Sequence, residues 1–228
     1  MFDCIGEWRK MEKIILIGNG GHAKSVLDSI EGTHLYEVVG FISNNKDEEF
    51  EYRGYKIIGT DNDLERIYSE GIHNVFICIG YMGNGNLREE LYTRVKEIGY
   101  VIPTIIDESA IIATDAKIGE GTYVGKTAVV NSEAVIGKMT IINTGAIVEH
   151  NCIVGDFTHV SVGTALCGGV VTGKSNFIGA KAVVIQNCTI GNYNVIGAGA
   201  VVIDDIEDDN VTMGVPAKIV NKMVWRKE

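Results

Sequence analysis

Between Ile112 and Val202 the sequence holds a single register of six. Of the sixteen positions met by taking every sixth residue across that span, fifteen are Ile, Val or Leu, and the exception is Thr172. The next position is often glycine (119, 125, 137, 155, 173, 179, 191 and 197), and the fourth position is usually Thr, Ala, Cys or Val. An inward aliphatic every six residues with small turn residues between is the pattern of a parallel β-helix, in which each hexapeptide supplies one flat face and a corner. The chain has 28 glycines and only 2 prolines, so its glycine serves turns that repeat and not a Pro/Gly linker.

Similarity to known hexapeptide proteins implies three faces per coil, so that 18 residues return the chain to the same corner one strand spacing (~4.8 Å) higher. Cys152 and Cys188 share a phase but lie two coils apart, roughly 9 to 10 Å, which is beyond the reach of a disulfide. They read as small core fillers. Five scattered cysteines without close metal-type pairs suit a reducing compartment, and the absence of a signal-peptide pattern or a long apolar run makes the expected location cytoplasmic. A net charge of -10 argues against nonspecific nucleic-acid or anionic-membrane binding.

Residues 13 to 102 follow other rules. KIILIG (13–18) reads as a buried strand, GNGGHAKSVLDSI as a glycine turn opening an amphipathic helix, and VVGFI (38–42), KIIG (56–59) and NVFICIG (74–80) as further strands, with helices near 61–70 and 85–99. The alternation predicts a small parallel α/β domain. Gly18, Gly20 and Ala23 fit G-x-G-x-x-A, whose open backbone suits a phosphate at a helix start. NAD is disfavoured, because Ser43, Asn44 and Asn45 stand where an acidic ribose ligand is expected and the domain is about half a dinucleotide fold. A mononucleotide or nucleotide-sugar fits better. His22 could bond that ligand or cap the helix. The loop YMGNGN (81–86) could hold a ligand or merely connect.

The expected organisation is an extension over 1–11, a Rossmann-like nucleotide-sugar domain over 12–104, a β-helix over 105–216, and a tail over 217–228 in which KMVWRKE reads as a short helix. In the coil, His150 and His159 are nine residues apart and in different phases, so they cannot share a metal within one chain, and no metal is expected. His150 and Gly168 each sit two positions after an inward aliphatic and 18 residues apart. They stack on one edge, a plausible pairing of a proton-accepting base with a glycine amide that steadies an oxyanion.

The stretches GNGGHAKSV (18–26), VVGFI, ICIG (77–80) with Arg88, INTGAIVEHNCIVGDFTHVSVG (142–163) and GVPAK (214–218) resemble the bacterial sugar acetyltransferases of sialic acid, UDP-4-amino-sugar and perosamine pathways, over nearly everything from residue 12 on. The resemblance implies a left-handed β-helix following a Rossmann-like domain, a homotrimer with active sites between subunits, and acetyl-CoA as co-substrate. It implies His150 as general base, His159 near the acetyl group, Asn143 near the acceptor, Gly168 facing the acetyl oxygen, Ala180 and Ala198 lining the CoA arm, and Lys218 at a CoA phosphate. The front domain, with Gly20, Gly21, His22, Ser43, Asn44, Gly80 and Arg88, would hold the nucleotide-sugar. The leading expectation is N-acetylation of a nucleotide-linked amino-sugar. O-acetylation of a sialic acid and a non-catalytic, nucleotide-sensing trimeric scaffold are the alternatives.

Three positions depart from the family pattern. Asn151 stands where relatives often carry an acidic partner for the histidine, so the expectation is that either Glu149 or Asp156 compensates or the base is weaker. Ser43 and Asn44 replace the acidic pair after the second strand.

Overall fold

The computed structural model of the protein describes residues 11–44, 50–83 and 86–223. Its front sheet is built around β1 (Glu12–Ile17), which pairs in parallel with β2 (Tyr36–Ile42) and β5 (Asn74–Ile77). The hairpin of β3 (Glu51–Tyr52) and β4 (Tyr55–Gly59) adds to β2, giving the order β3-β4-β2-β1-β5 with an antiparallel edge. Helix α1 (Gly21–Thr33) buries Ala23, Val26, Leu27 and Ile30 at helical spacing, while α2 (Leu64–Ser69) and α3 (Leu87–Ile98) pack together on the other layer. The unbroken aliphatics of β1 follow from burial on both sides. Ile14 and Leu16 point into the α1 layer, and Ile15 and Ile17 into the layer of α2 and α3.

The coil consists of three parallel sheets whose strands pair at intervals of 18 residues, as in Val129↔Ile147↔Ala165. Face 1 begins with Ile105–Ile106 and Tyr123–Val124, face 2 with Ile111–Ile112, and face 3 with Lys117–Ile118. Each strand has one outward and one inward residue. The inward residues, from Val124 to Val202, form one continuous core. Cys152 and Cys188 lie in it as free thiols. From Gly121 to Gly199 each corner turns through one left-handed residue. These positions recur every six residues and include Glu133, Asn151 and Lys181 as well as Gly145, Gly163 and Gly169. Face 1 closes with the strand Asn210–Met213 and its antiparallel partner Lys218–Lys222. Lys222 is thus in a strand and not in the expected helix, and residues 224–228 of that expectation lie outside the described residues.

The front domain lies across face 1. Outward residues Tyr123 and Ile141 of that face share a core with Ile14, Leu16 and α1, and Met139 and Phe157 of the edge between faces 3 and 1 share one with Ile15, Ile17 and Leu91. Several outward residues on the other faces are exposed, among them Ile147 on face 2 and Val135, Ile153 and Val171 on face 3. At one end of the junction Lys126 bridges Asp28 and Asp107, and Ser29 Oγ donates to Asp107 at 2.6 Å. Although burial pulls the Asp107 carboxyl upward, hydrogen bonds from Ser109, Ser29 and Lys126 hold it down at about 2.

Candidate functional site

A cleft of about 490 Å³ opens at the C-terminal ends of β1, β2 and β5, where open parallel sheets receive ligands. Gly20, Gly21, His22, Ser43, Asn44 and Gly80 all line it. Gly18 adopts φ +102°, a left-handed conformation that favours glycine. Gly20, Gly21 and Gly80 are different: a side chain added there would meet nothing within 4 Å among the described residues. Among the described residues no side chain caps α1 and its first turn carries no acid, so this helix start is of the kind that suits an anion. Sequence reading missed Asp61, which enters from the loop after β4. Asn44 Nδ2 donates to its carboxylate at 2.7 Å, placing an acid beside the two positions that lack one.

His22 does not cap the helix. Its ring meets Tyr123 edge-on, with centroids 5.2 Å apart, and its Nε2 is sealed from solvent with no hydrogen-bond partner among the described residues. Burial, reinforced by His159 and Arg88, holds its pKa down at about 3. His159 is the outward residue of its face 1 strand, covered here by the front domain of the same chain. Its Nδ1 donates to the Tyr81 carbonyl at 2.7 Å, so Nε2 accepts from Asn143 Nδ2 at 3.1 Å. The Asn143 Oδ1 is taken by the Thr144 amide, which fixes that orientation. Burial lowers His159 to about 4; the Tyr81 bond opposes the shift and Arg88 adds to it.

Arg88, expected at the sugar nucleotide, is 5 % exposed, and its guanidinium donates to the main-chain carbonyls of Met139 and Phe157. A planar fork reaching two stacked corners ties α3 to the coil. Burial brings its pKa down to about 10. It is a clamp between the domains. Of the YMGNGN loop, Tyr81 is also structural, its hydroxyl donating to the Ser175 carbonyl at 2.9 Å, while residues 84 and 85 lie outside the described residues.

His150 occupies the edge between faces 2 and 3, exposed and directly below Gly168. The two are so close that a Cβ on Gly168 would fall 2.6 Å from the ring's Cε1 and Nε2. His150 Nδ1 lies 2.9 Å from Asn151 Oδ1. The expected compensation by Glu149 or Asp156 is not what the structure contains. Glu149 accepts the His150 main-chain N–H at 3.3 Å, and Asp156 accepts the Lys138 amide on a different edge. The carboxylate that reaches this cluster is Glu133, one coil below, which accepts from Asn151 Nδ2.

Within one chain these parts do not converge. The cleft and His159 lie at face 1, whereas His150, Asn151 and Gly168 sit on the edge opposite that face. Ala180 and Ala198 stack on the edge between faces 1 and 2, joined by the bond from the Gly199 amide to the Ala180 carbonyl. Lys218 is exposed at the start of the closing strand.

Family models match residues 13–95 as the PglD N-terminal domain and residues 169–204 as the bacterial transferase hexapeptide of six repeats. No curated protein matches the chain. Among solved structures, a variant of the GDP-perosamine N-acetyl transferase from Caulobacter crescentus, in complex with CoA and GDP-perosamine, is 32% identical, with 93% of this chain and 99% of that chain covered and a TM-score of 0.86. The chain belongs to the bacterial sugar acetyltransferases. The acetyltransferase domain of PglB from Neisseria gonorrhoeae is also 32% identical, covering 92% of this chain and 100% of that one at a TM-score of 0.85. As a member of this family the protein is an acyltransferase, and its architecture is the family's small α/β domain followed by a left-handed β-helix.

Proposed function

We propose that the protein transfers the acetyl group of acetyl-CoA to the amine of a nucleotide-linked amino-sugar, with His150 as general base. The observation that carries this reading is the placement of the His150 ring beneath Gly168, with Nδ1 engaged by Asn151 and Nε2 on the Gly168 side. As the sugar nitrogen attacks the thioester carbonyl, a C–N bond forms, Nε2 takes the amine proton, the C–S bond breaks, and the proton passes to the departing sulfur. The Gly168 amide is suited to steady the oxyanion between those steps. Three glycines with open space above them and an uncapped helix start suit the diphosphate of a nucleotide-sugar. Structures of the two relatives hold CoA with GDP-perosamine and acetyl-CoA, respectively.

The separation of cleft and base supports a homotrimer. Face 1 carries the cleft and the edge opposite carries His150, so only a neighbouring copy can bring one to the other. The exposed outward aliphatics Val135, Ile153 and Val171 form an apolar column suited to that contact. The small Ala180 and Ala198, with Lys218 exposed in the closing strand, suit a CoA arm and its phosphate, and Asn143 suits the acceptor side with His159 beside it toward the acetyl group.

Purified protein given acetyl-CoA and UDP- or GDP-linked 4-amino-sugars is expected to release CoA thiol, while free and CMP-linked sialic acids give none. Release only with the sialic acids would replace the amine by a hydroxyl. His150→Ala is expected to lower turnover ~10²-fold or more; retention of more than about a tenth would remove it as the base.

A further inference from the structure

We infer that Glu133 is a positioning residue for His150, acting through Asn151 to fix which ring nitrogen carries the proton. The inference rests on His150 being the base. It starts from the stacking of one corner: Glu133 and Asn151 are the left-handed residues of successive coils, and His150 and Gly168 are the residues just before that position in successive coils. Pairing at 18 residues therefore places Glu133 below Asn151, and His150 below Gly168.

The donor inventory leaves one arrangement of protons. A carboxylate only accepts, so the group of Asn151 that meets Glu133 must be the Nδ2 amine. The amide oxygen then faces the His150 ring at 2.9 Å, and an oxygen only accepts, so Nδ1 must donate. Nε2 is left with a lone pair on the Gly168 side. The charge on Glu133 thus sets the amide, and the amide sets the tautomer. As the ring accepts a proton, the dipole of Asn151, oriented by that charge, faces it with its negative end. Glu149 is the other acid beside the histidine, and its contact is with the main-chain N–H and not the ring.

Neutralising Glu133 without changing its shape separates this role from a structural one. The Gln in Glu133→Gln can either accept from the Asn151 amine or donate to the Asn151 oxygen. In the second case Asn151 turns over, its amine meets Nδ1, and the proton moves to Nε2, where it blocks the base. The expected result is a kcat about tenfold below that of the parent protein with the KM for acetyl-CoA and for the sugar unchanged. In Glu133→Gln combined with Asn151→Asp, a carboxylate meets Nδ1 directly, and kcat is expected to return to within about threefold of the parent. A Glu133→Gln protein with parental kcat overturns the inference, as does a double variant no faster than the single. His150→Ala with parental turnover removes base and relay together, whereas a dead His150→Ala beside a fully active Glu133→Gln overturns the relay alone.

Discussion

At the scale of single residues, the 18-residue period was enough to place His150 beneath Gly168, because parallel strands in register leave no freedom in that stacking. What it could not supply is why position 168 is glycine. The backbone there is not left-handed; the side chain is missing because the His150 ring fills its space at 2.6 Å. Gly168→Ala is therefore expected to keep its stability within about 0.5 kcal/mol, since the ring is exposed and can swing away. Turnover should fall by about 10 to 100-fold as the base leaves its position. Equal unfolding midpoints with unequal kcat would check this, and a parental kcat would show that the ring position does not matter. Arg88 is the opposite case. Its presence in a family motif pointed to the ligand, yet the carbonyls it binds belong to corners 51 and 69 residues further along the chain. No local signal carries that pairing.

At the scale of elements, the hexapeptide register identified the inward residue of each turn but not the polar column on one edge. Thr122, Thr140, Thr158, Asn176, Asn194 and Asn210 are buried between faces 3 and 1. The Asn194 amide donates to Asn176 Oδ1 at 2.7 Å and the Asn210 amide to Asn194 Oδ1 at 2.8 Å. Asn176 Nδ2 donates to the carbonyls of Gly173 and Gly191, each at 2.8 Å. These carbonyls lie at tight corners where neighbouring strands leave them free, so buried amides satisfy them. Asn176→Ala removes three bonds and leaves the Gly191 carbonyl and the Asn194 amide without them, while the Gly173 carbonyl keeps its bond from Thr158 Oγ1, so a loss of about 2–4 kcal/mol is expected in urea unfolding. A loss under 1 kcal/mol would mean that water replaces the amide. The left-handed corner positions are not confined to glycine: Glu133, Asn151 and Lys181 also adopt them. Two of these three flank the proposed base.

At the scale of the whole molecule, the two domains share cores across face 1, and the junction buries His22 and His159 near Arg88. Both histidines have folded-state values, about 3 and about 4, below the unfolded 6.5. Below pH 6.5 the unfolded chain binds protons that the folded one refuses, so stability falls as pH drops toward 4. Each contributes a slope of up to about 1.4 kcal/mol per pH unit, or about 2 kcal/mol at pH 5 relative to pH 7. Denaturant unfolding at the two pH values checks this, and His159→Asn should remove its share of the difference. A stability that is flat between pH 7 and 5 would refute the sealed junction.

The period of six, with aliphatics that face inward in every coil, determined the β-helix, the neighbours of each coil residue and the edge on which His150 lies. The glycine turn after β1 determined where the front domain would open a cleft. These are local or strictly periodic relations, and a sequence states them directly. Tertiary structure alone decided that the front domain lies on face 1, that Arg88 is consumed in holding it there, that His159 is buried under its own chain, and that Asp61 and Glu133 bring carboxylates to Asn44 and Asn151. Each of those depends on the docking of two domains or on side chains meeting across separate turns, where distance along the chain carries no information about distance in space.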